Sequence, residues 1–361
     1  MDLGKEGSFV SPEDLRQPTA KLLEAAGLRG DFGLFPLPGG ANNKVFRVEA
    51  NGHTALLKAY FQHPDDPRDR LGVEFSFSSF AWEHGVRCIP RPLACDRFHH
   101  LALYEFVEGR CLQSDEVTEE RVRQAIEFYR QLNQYRESPD AGALPEASEA
   151  CFRIADHLRC VERRLQALKQ VAASSPIRQE AVSFILNDLS GIWERVAESA
   201  GKRAGELGFS LEEEIVPEDR RLSPSDFGFH NALVASDGRL RFIDFEYAGW
   251  DDPAKTACDF FCLQGVRVPE AYRDLFVQQV TQDLSEPASH RQRIDLLFPI
   301  HQVKWCCILL NDFLPDGSQR RRFADGSGEG RREAVQLQKA RRALQEVRAR
   351  SSPPRFISGA A

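Results

Sequence analysis

The sequence predicts an α+β fold in two lobes, a small β-rich N-terminal lobe followed by a larger, mainly helical C-terminal lobe. Three observations carry this reading. Between Phe35 and Val107, short apolar runs flank Asn51-Gly52, a strong hairpin turn signal because both positions tolerate positive φ. Beyond Gly109, apolar residues recur at helical spacing. A strand-rich insert, Arg221–Glu246, interrupts those helices. The chain of 361 residues is 42% hydrophobic and 28% charged, the balance of an ordinary soluble globular protein with enough core for two lobes.

Taken in order, Ser11-Pro12-Glu13-Asp14 is a helix start, with Ser as cap and Pro at the first position. Leu15, Leu22, Leu23 and Ala26 line one face of this lead-in, and Gly27 and Gly30 end it. Val45–Val48 and Ala55–Lys58 form the hairpin around Asn51-Gly52. A helix over Asp69–His84 follows, closed by Gly85, then strands around Arg91–Ala94 and Leu101–Phe106. Helical spacing returns at Glu119–Arg136, Phe152–Ala172, Ile177–Ala200, Ala271–Asp283 and Pro299–Phe313. Ser318–Gly330, rich in Arg, Gly and Ser, is a flexible linker. Arg331–Arg350 is a charged helix with a thin stripe at Val335, Leu337, Ala340, Leu344 and Val347. The expected divisions are a lead-in at 1–31, a first lobe at 32–108, a second lobe at 109–317 and a linker with basic tail at 318–361.

Net charge is −7 and unevenly spread. Arg320–Arg350 holds ten Lys or Arg against four Asp or Glu, and Arg355 adds one, so residues 1–319 carry −14. An acidic body argues against nucleic acid as the main partner, and the basic tail leaves room for a protein partner. The first residues show no basic-then-apolar signal, and no apolar run approaches membrane-spanning length, so a cytosolic protein with no membrane partner is expected. Nine cysteines without tight paired spacing fit reduced thiols, and neither Cys258 and Cys262 nor His99-His100 makes a convincing zinc set.

Asp226-Phe227-Gly228-Phe229-His230-Asn231 is the most informative stretch. A carboxylate and a carboxamide sit five residues apart on a tight loop, and a second carboxylate, Asp244, follows on a short apolar strand, Leu240–Asp244. Transfer of a phosphoryl group from ATP needs this set: one Asp to orient a hydroxyl and take its proton, an Asn and an Asp to hold Mg²⁺. Hard oxygens suit that ion. Upstream, Gly39, Gly40, Asn42 and Asn43 lie in a turn whose amides can approach phosphate oxygens, though such a turn is equally an ordinary hairpin. Lys58 ends an apolar strand, and Glu74 on the next helix is a candidate partner. Tyr104, Glu105, Phe106 and Val107 join the lobes, where extended backbone can meet an adenine edge.

These blocks, in this order, resemble the aminoglycoside phosphotransferase and choline kinase superfamily, small-molecule kinases of protein-kinase-like fold. The resemblance spans residues 32–315 and rests most on Asp226–Asn231 and Ile243–Trp250. It implies Asp226 as catalytic base, Asn231 and Asp244 as Mg²⁺ ligands, Lys58 as the phosphate contact and Glu74 as its partner. It further implies ATP between the lobes and a small acceptor carrying a hydroxyl: an amino sugar, amino alcohol or sugar. The chain departs from the family at Pro224, where His is usual, and at Ser225, where Gly is common. Those departures keep open a catalytically weak kinase-like module that binds nucleotide or protein. His230 either touches substrate or packs. Asp259, Asp312 and Glu212–Glu214 are acidic candidates for the acceptor side without an assigned place. A protein Ser/Thr kinase fits less well, since no Arg precedes Asp226 directly and no activation segment follows Asp244.

Overall fold

Asn51 and Gly52 take φ of +48° and +78°, the paired left-handed residues of a two-residue hairpin turn. They fold β2 (Lys44–Ala50) directly back onto β3 (His53–Ala59). The computed structural model that shows this describes residues 12–38, 43–62, 66, 68–315 and 329–351. With β1 (Phe32–Leu37), β4 (Pro92–Asp96) and β5 (Leu101–Glu105), the hairpin makes an antiparallel sheet in the order β1-β2-β3-β5-β4. Strand alternation sends Ala55, Leu57 and Ala59 to one face and Leu56, Lys58 and Tyr60 to the other. Helix α1 (Pro12–Ala25) covers the first face: Leu15, Leu22 and Leu23 lie buried with Phe46, Val48, Leu57 and Leu103. The described part of the lead-in expected at 1–31, from residue 12 onward, thus packs on this core. Helix α2 (Arg70–Glu83), capped by Asp69 on the Gly72 N–H, serves the second face, where Leu71 packs with Tyr60, Ala102 and Tyr104.

A second layer follows. Strand β6 (Gly109–Cys111) pairs with β8 (Ala232–Ala235), which pairs with β9 (Leu240–Phe242). Strand β7 (Arg221–Ser223) pairs with β10 (Gly249–Asp251). Helices α3 (Glu119–Asn133), α7 (Pro253–Cys262) and α8 (Arg273–Thr281) accompany them. An aromatic cluster fills this region: Phe128 stacks on Phe242 at 4.7 Å, Phe260 on Phe276 at 4.3 Å, and Phe227 touches Phe128, Phe242 and Phe260. Offset and edge-on ring pairs of this kind add about 0.5–1.5 kcal/mol each beyond burial.

The described residues fall into two compact units, 12–150 with 216–287, and 151–215 with 288–315 and 329–351. These cuts differ from the boundaries expected at residues 108 and 317. The second unit holds α4 (Ile154–Leu168), α5 (Pro176–Ser183), α6 (Ser190–Leu207), most of α9 (Pro287–Leu309) and α10 (Glu329–Ser351). Helix α9 starts twelve residues before the expected Pro299, which lies inside it. Ile294, Leu297, Ile300 and Val303 are all buried at 1% exposure or less, so packing on both sides of the proline holds the helix across the lost hydrogen bond. Helix α10 buries four of its five predicted stripe residues, Leu337, Ala340, Leu344 and Val347, and Val335 stays exposed. Arg178 pairs with buried Glu333 at 2.5 Å, fixing α10 to α5 within this unit. Residues 316–328, most of the expected linker, lie outside the described residues. No described helix is long and apolar enough to cross a membrane, and the nine cysteines are thiols outside any disulfide.

Candidate active site

The face on which strand alternation places Lys58 is the face α2 covers, so Lys58 meets Glu74. Its Nζ lies 2.6 Å from Glu74 Oε2 and 2.5 Å from Asp244 Oδ1. Glu74 also accepts the Tyr60 hydroxyl at 2.8 Å and the Phe245 N–H at 3.3 Å. Tyr60 in turn bonds the Tyr104 hydroxyl at 2.9 Å. A buried carboxylate with this many donors is a satisfied one. Burial opposes the charge on Lys58, but Asp244, Glu74 and Glu246 outweigh it and hold the pKa well above 10.5. Burial raises Glu74 against the pull of Lys58.

The loop after β7 is built by three local devices. The Ser223 hydroxyl bonds the Thr256 hydroxyl at 2.9 Å and accepts the Ser225 N–H at 3.0 Å. Ser225 takes a left-handed φ of +64°, and the Asp226 N–H closes a tight turn on the Pro224 carbonyl at 2.9 Å. Phe227, 2% exposed, then draws the chain into the aromatic cluster. A single turn of 3₁₀-helix, Phe229–Asn231, brings Asn231 back on Asp226. The Asn231 Nδ2 donates to the Asp226 carbonyl at 3.0 Å and to Asp226 Oδ2 at 3.2 Å. His230 Nε2 sits 3.3 Å from the same Oδ2. Burial would lower the His230 pKa, but Asp226 and Asp244 raise it.

The second acid is tied to this loop through the backbone, since the Asn231 carbonyl accepts the Ile243 N–H at 2.9 Å. Asp244 has φ of +68°, and Phe245 behind it is 3% exposed between Phe77 and Phe128. Each of the two acids thus precedes a buried phenylalanine that holds its loop. Asp226 and Asp244 keep 30% and 35% of their side chains exposed, enough to meet a ligand. The structure joins Asp226 to Asn231, and Asp244 to Lys58 and Glu74.

Other expected residues take different places. Gly39, Gly40 and Asn42 lie outside the described residues. Asn43 is 4% exposed, and its side chain is committed at both ends: it donates to Glu246 Oε2 at 2.7 Å and accepts the Phe61 N–H at 3.1 Å. It braces the loop of Asp244 and does not reach outward with its side chain. Tyr104 likewise spends its hydroxyl on Tyr60. The Glu105 N–H, expected at the adenine edge, is bonded to the Arg91 carbonyl at 2.8 Å, and the Glu105 carboxylate accepts the Arg91 N–H at 3.1 Å. Phe106 lies under the Arg47 guanidinium at 5.5 Å, and Val107 is half-buried. Asp259 is buried on α7 at 4% exposure. In the other unit Asp312 is buried, while Glu212 and Glu214 pair with Arg159 and Arg153. Sequence reasoning missed the Ser223–Thr256 brace and the Glu246–Asn43 bond. Both join residues far apart in the chain, though Glu246 sits inside the motif already singled out.

A profile of the phosphotransferase enzyme family, APH, matches residues 34–297, which include Lys58, Glu74, Asp226, Asn231 and Asp244. The chain belongs to this family. Among solved structures, this phosphotransferase-family chain is similar to a choline/ethanolamine kinase family protein from Mesorhizobium loti, with 19% identity and a TM-score of 0.53, over 92% of this chain and 98% of that one. It is also similar to choline kinase from Streptococcus pneumoniae, with 14% identity and a TM-score of 0.55, over 91% and 99%. A spectinomycin phosphotransferase solved with ADP and spectinomycin gives 12% identity and a TM-score of 0.57, over 91% and 98%. No significant match is found among curated proteins. These likenesses give the fold: an α+β, protein-kinase-like architecture with an N-terminal antiparallel sheet and a larger helical C-terminal part.

Proposed function

We propose that this phosphotransferase-family protein moves the γ-phosphoryl group of ATP, with Mg²⁺, to a hydroxyl of a small molecule such as an amino sugar, amino alcohol or sugar. The observation that carries this reading is the Lys58 ammonium held at once by Glu74 and Asp244, with Asn231 bridging from the Ile243–Asp244 backbone to Asp226. Asp226 takes the proton of the acceptor hydroxyl, and Asn231 and His230 fix the carboxylate for that task. Lys58 meets the phosphates as a charge that burial does not extinguish. The residues present suit a hard divalent cation: Asn231 spends its amide N–H on Asp226, leaving its carbonyl oxygen, and Asp244 offers a part-exposed carboxylate. When bound, Mg²⁺ supplies charge neutralisation on the phosphate oxygens. The glycine-rich segment 39–43 is assigned to the phosphates from its sequence, and the Tyr104–Val107 segment meets adenine through those backbone groups that remain unspent.

The test is ATP consumption over a broad panel of hydroxyl-bearing metabolites, run beside a separate measurement of Mg·ATP binding. Turnover on a hydroxylated amine or sugar is expected. A second reading, a weak kinase-like binding module, is favoured by Pro224 and Ser225 at the positions where the family carries His and Gly. Binding of Mg·ATP without transfer to any acceptor would select that reading in its nucleotide-binding form, and absence of nucleotide binding would end the kinase reading.

A further inference from the structure

Arg221 is 3% exposed, yet its guanidinium meets no carboxylate among the described residues. It donates to three backbone carbonyls: Glu218 at 2.7 Å, Arg220 at 2.9 Å and Asp283 at 2.8 Å. A buried cation with only neutral partners is costly, and the counter-charge is usually supplied nearby. Arg221 lines a cavity of about 580 Å³ between α3, α8 and the start of β7. Its wall carries three more arginines, Arg123, Arg130 and Arg136, against two acids, Glu127 and Asp283. Glu127 is already paired with Arg239 at 3.2 Å.

Arg123 is paired with Glu119 at 2.7 Å, whereas Arg130 and Arg136 are loosely engaged. Arg130 reaches only the Gln279 side chain, at 3.5 Å. Arg136 bonds the Asn133 carbonyl at 3.2 Å and the largely exposed Glu137 at 3.0 Å. The Tyr129 hydroxyl, on the same wall and 2% exposed, has no hydrogen-bond partner among the described residues. Burial, with Arg136 nearby, depresses the Arg221 pKa against the opposing charges of Asp219 and Asp283, neither of whose carboxylates bonds the guanidinium. None of these residues belongs to the candidate active site.

We propose that this cavity is a second anion pocket, which takes a small phosphate ester with its phosphate among Arg130, Arg136 and Arg221 and its organic part against Ile126 and Val280. Guanidinium forks match phosphate oxygens in pairs, and an excess of two positive charges selects an anion. The volume exceeds what a lone phosphate fills and suits a small organic ligand. Strand β7 starts at Arg221 and leads into the Asp226 loop, and Asn133 on the cavity wall holds Leu222 of that strand through two hydrogen bonds. Occupancy therefore stiffens the base of the strand that carries the catalytic loop.

The experiment is calorimetric titration of the whole chain with inorganic phosphate and glycerol 3-phosphate, with glycerol as the neutral control. Saturable binding of the ester, tighter than phosphate, and none of glycerol are expected. The double variant Arg130→Gln, Arg136→Gln, at positions whose side chains reach solvent, should weaken binding by roughly tenfold or more, as loss of charged hydrogen bonds predicts. Lys58→Met, which alters the candidate active site, should leave it unchanged. Binding lost in Lys58→Met and kept in the double variant would place the anion in the active site and overturn the proposal. So would no saturable binding in the millimolar range, or equal binding of the ester and glycerol.

Discussion

Ser225 bears a side chain at φ +64°, a conformation that costs a residue with a β-carbon about 1–2 kcal/mol. Glycine would escape that cost while losing about 0.5–1 kcal/mol of chain entropy. Ser225→Gly is therefore expected to stabilise the protein slightly, by up to about 1 kcal/mol in urea unfolding. A clear loss of stability would show that the serine hydroxyl contributes something the hydrogen bonds do not reveal. The turn needs a left-handed residue before the acid, a conformation glycine takes freely. At Pro224 the usual His is absent, and the Ser223 hydroxyl, bonded to Thr256 and to the Ser225 N–H, supplies the brace instead. Asp226 itself carries the next prediction. Asp226→Asn should lower kcat by about 10²–10⁴-fold, the usual worth of a general base, with Mg·ATP affinity nearly intact. Equal loss of both would remove it from that role. Asp244→Asn should instead weaken Mg²⁺-dependent nucleotide binding, and an unchanged Mg²⁺ requirement would take Asp244 out of the metal site.

At the scale of elements, strand alternation and turn chemistry carried most of what the sequence disclosed. Asn51-Gly52 announced the β2–β3 hairpin because only residues tolerant of positive φ close it. Period two then placed Lys58 opposite the Leu57 face, toward α2 and Glu74. The placing of Asp226 and Asn231 on one tight loop was legible from spacing alone. The support of this loop and of Asp244 was not, because it comes from tertiary partners: Asn43 with Glu246, Ser223 with Thr256, and phenylalanines from several elements. Helix α7 is not legible in the sequence, since its ten residues are almost entirely buried, polar Lys255, Thr256 and Asp259 included, and its polarity marks no exposed face. Helix α9 was read short because Pro299 looks like a start, and packing overrode it. The Asn133 link between α3 and β7 also joins residues distant in sequence. Its side chain accepts the Leu222 N–H at 2.8 Å and donates to the Leu222 carbonyl at 2.9 Å. Asn133→Leu should destabilise by about 1–3 kcal/mol, the cost of leaving buried backbone groups unpaired. Because β7 leads into the Asp226 loop, kcat should fall more than KM changes. An unaltered kcat with the same loss of stability would show that the loop holds its geometry independently of β7.

Across the whole molecule, several buried thiols and phenols, together with Lys58, are shifted upward, and this sets a pH limit. Burial raises the thiols of Cys88 and Cys307 from 9.0 to about 12. Burial also raises the phenols of Tyr60, Tyr104 and Tyr129 above 10.0. For Lys58, burial is outweighed by carboxylates, and its pKa lies well above 10.5. The sign is the same for all. The folded state keeps protons that the unfolded chain surrenders, so their stabilisation is complete below the unfolded values and is lost as pH rises past them. Each group contributes a slope of up to about 1.4 kcal/mol per pH unit. The urea midpoint should hold steady to about pH 9 and then fall with increasing steepness toward pH 11. A midpoint unchanged over that span would contradict the burial of these groups. The tyrosines give an independent readout, because three of the six are shifted. Tyr60, Tyr104 and Tyr129 should contribute tyrosinate absorbance only in a late step that coincides with loss of circular dichroism. A single smooth titration of all six before unfolding would mean that the Tyr60–Tyr104 pair beside Glu74 is open to solvent, and the enclosure of the Lys58–Glu74 pair would fall with it.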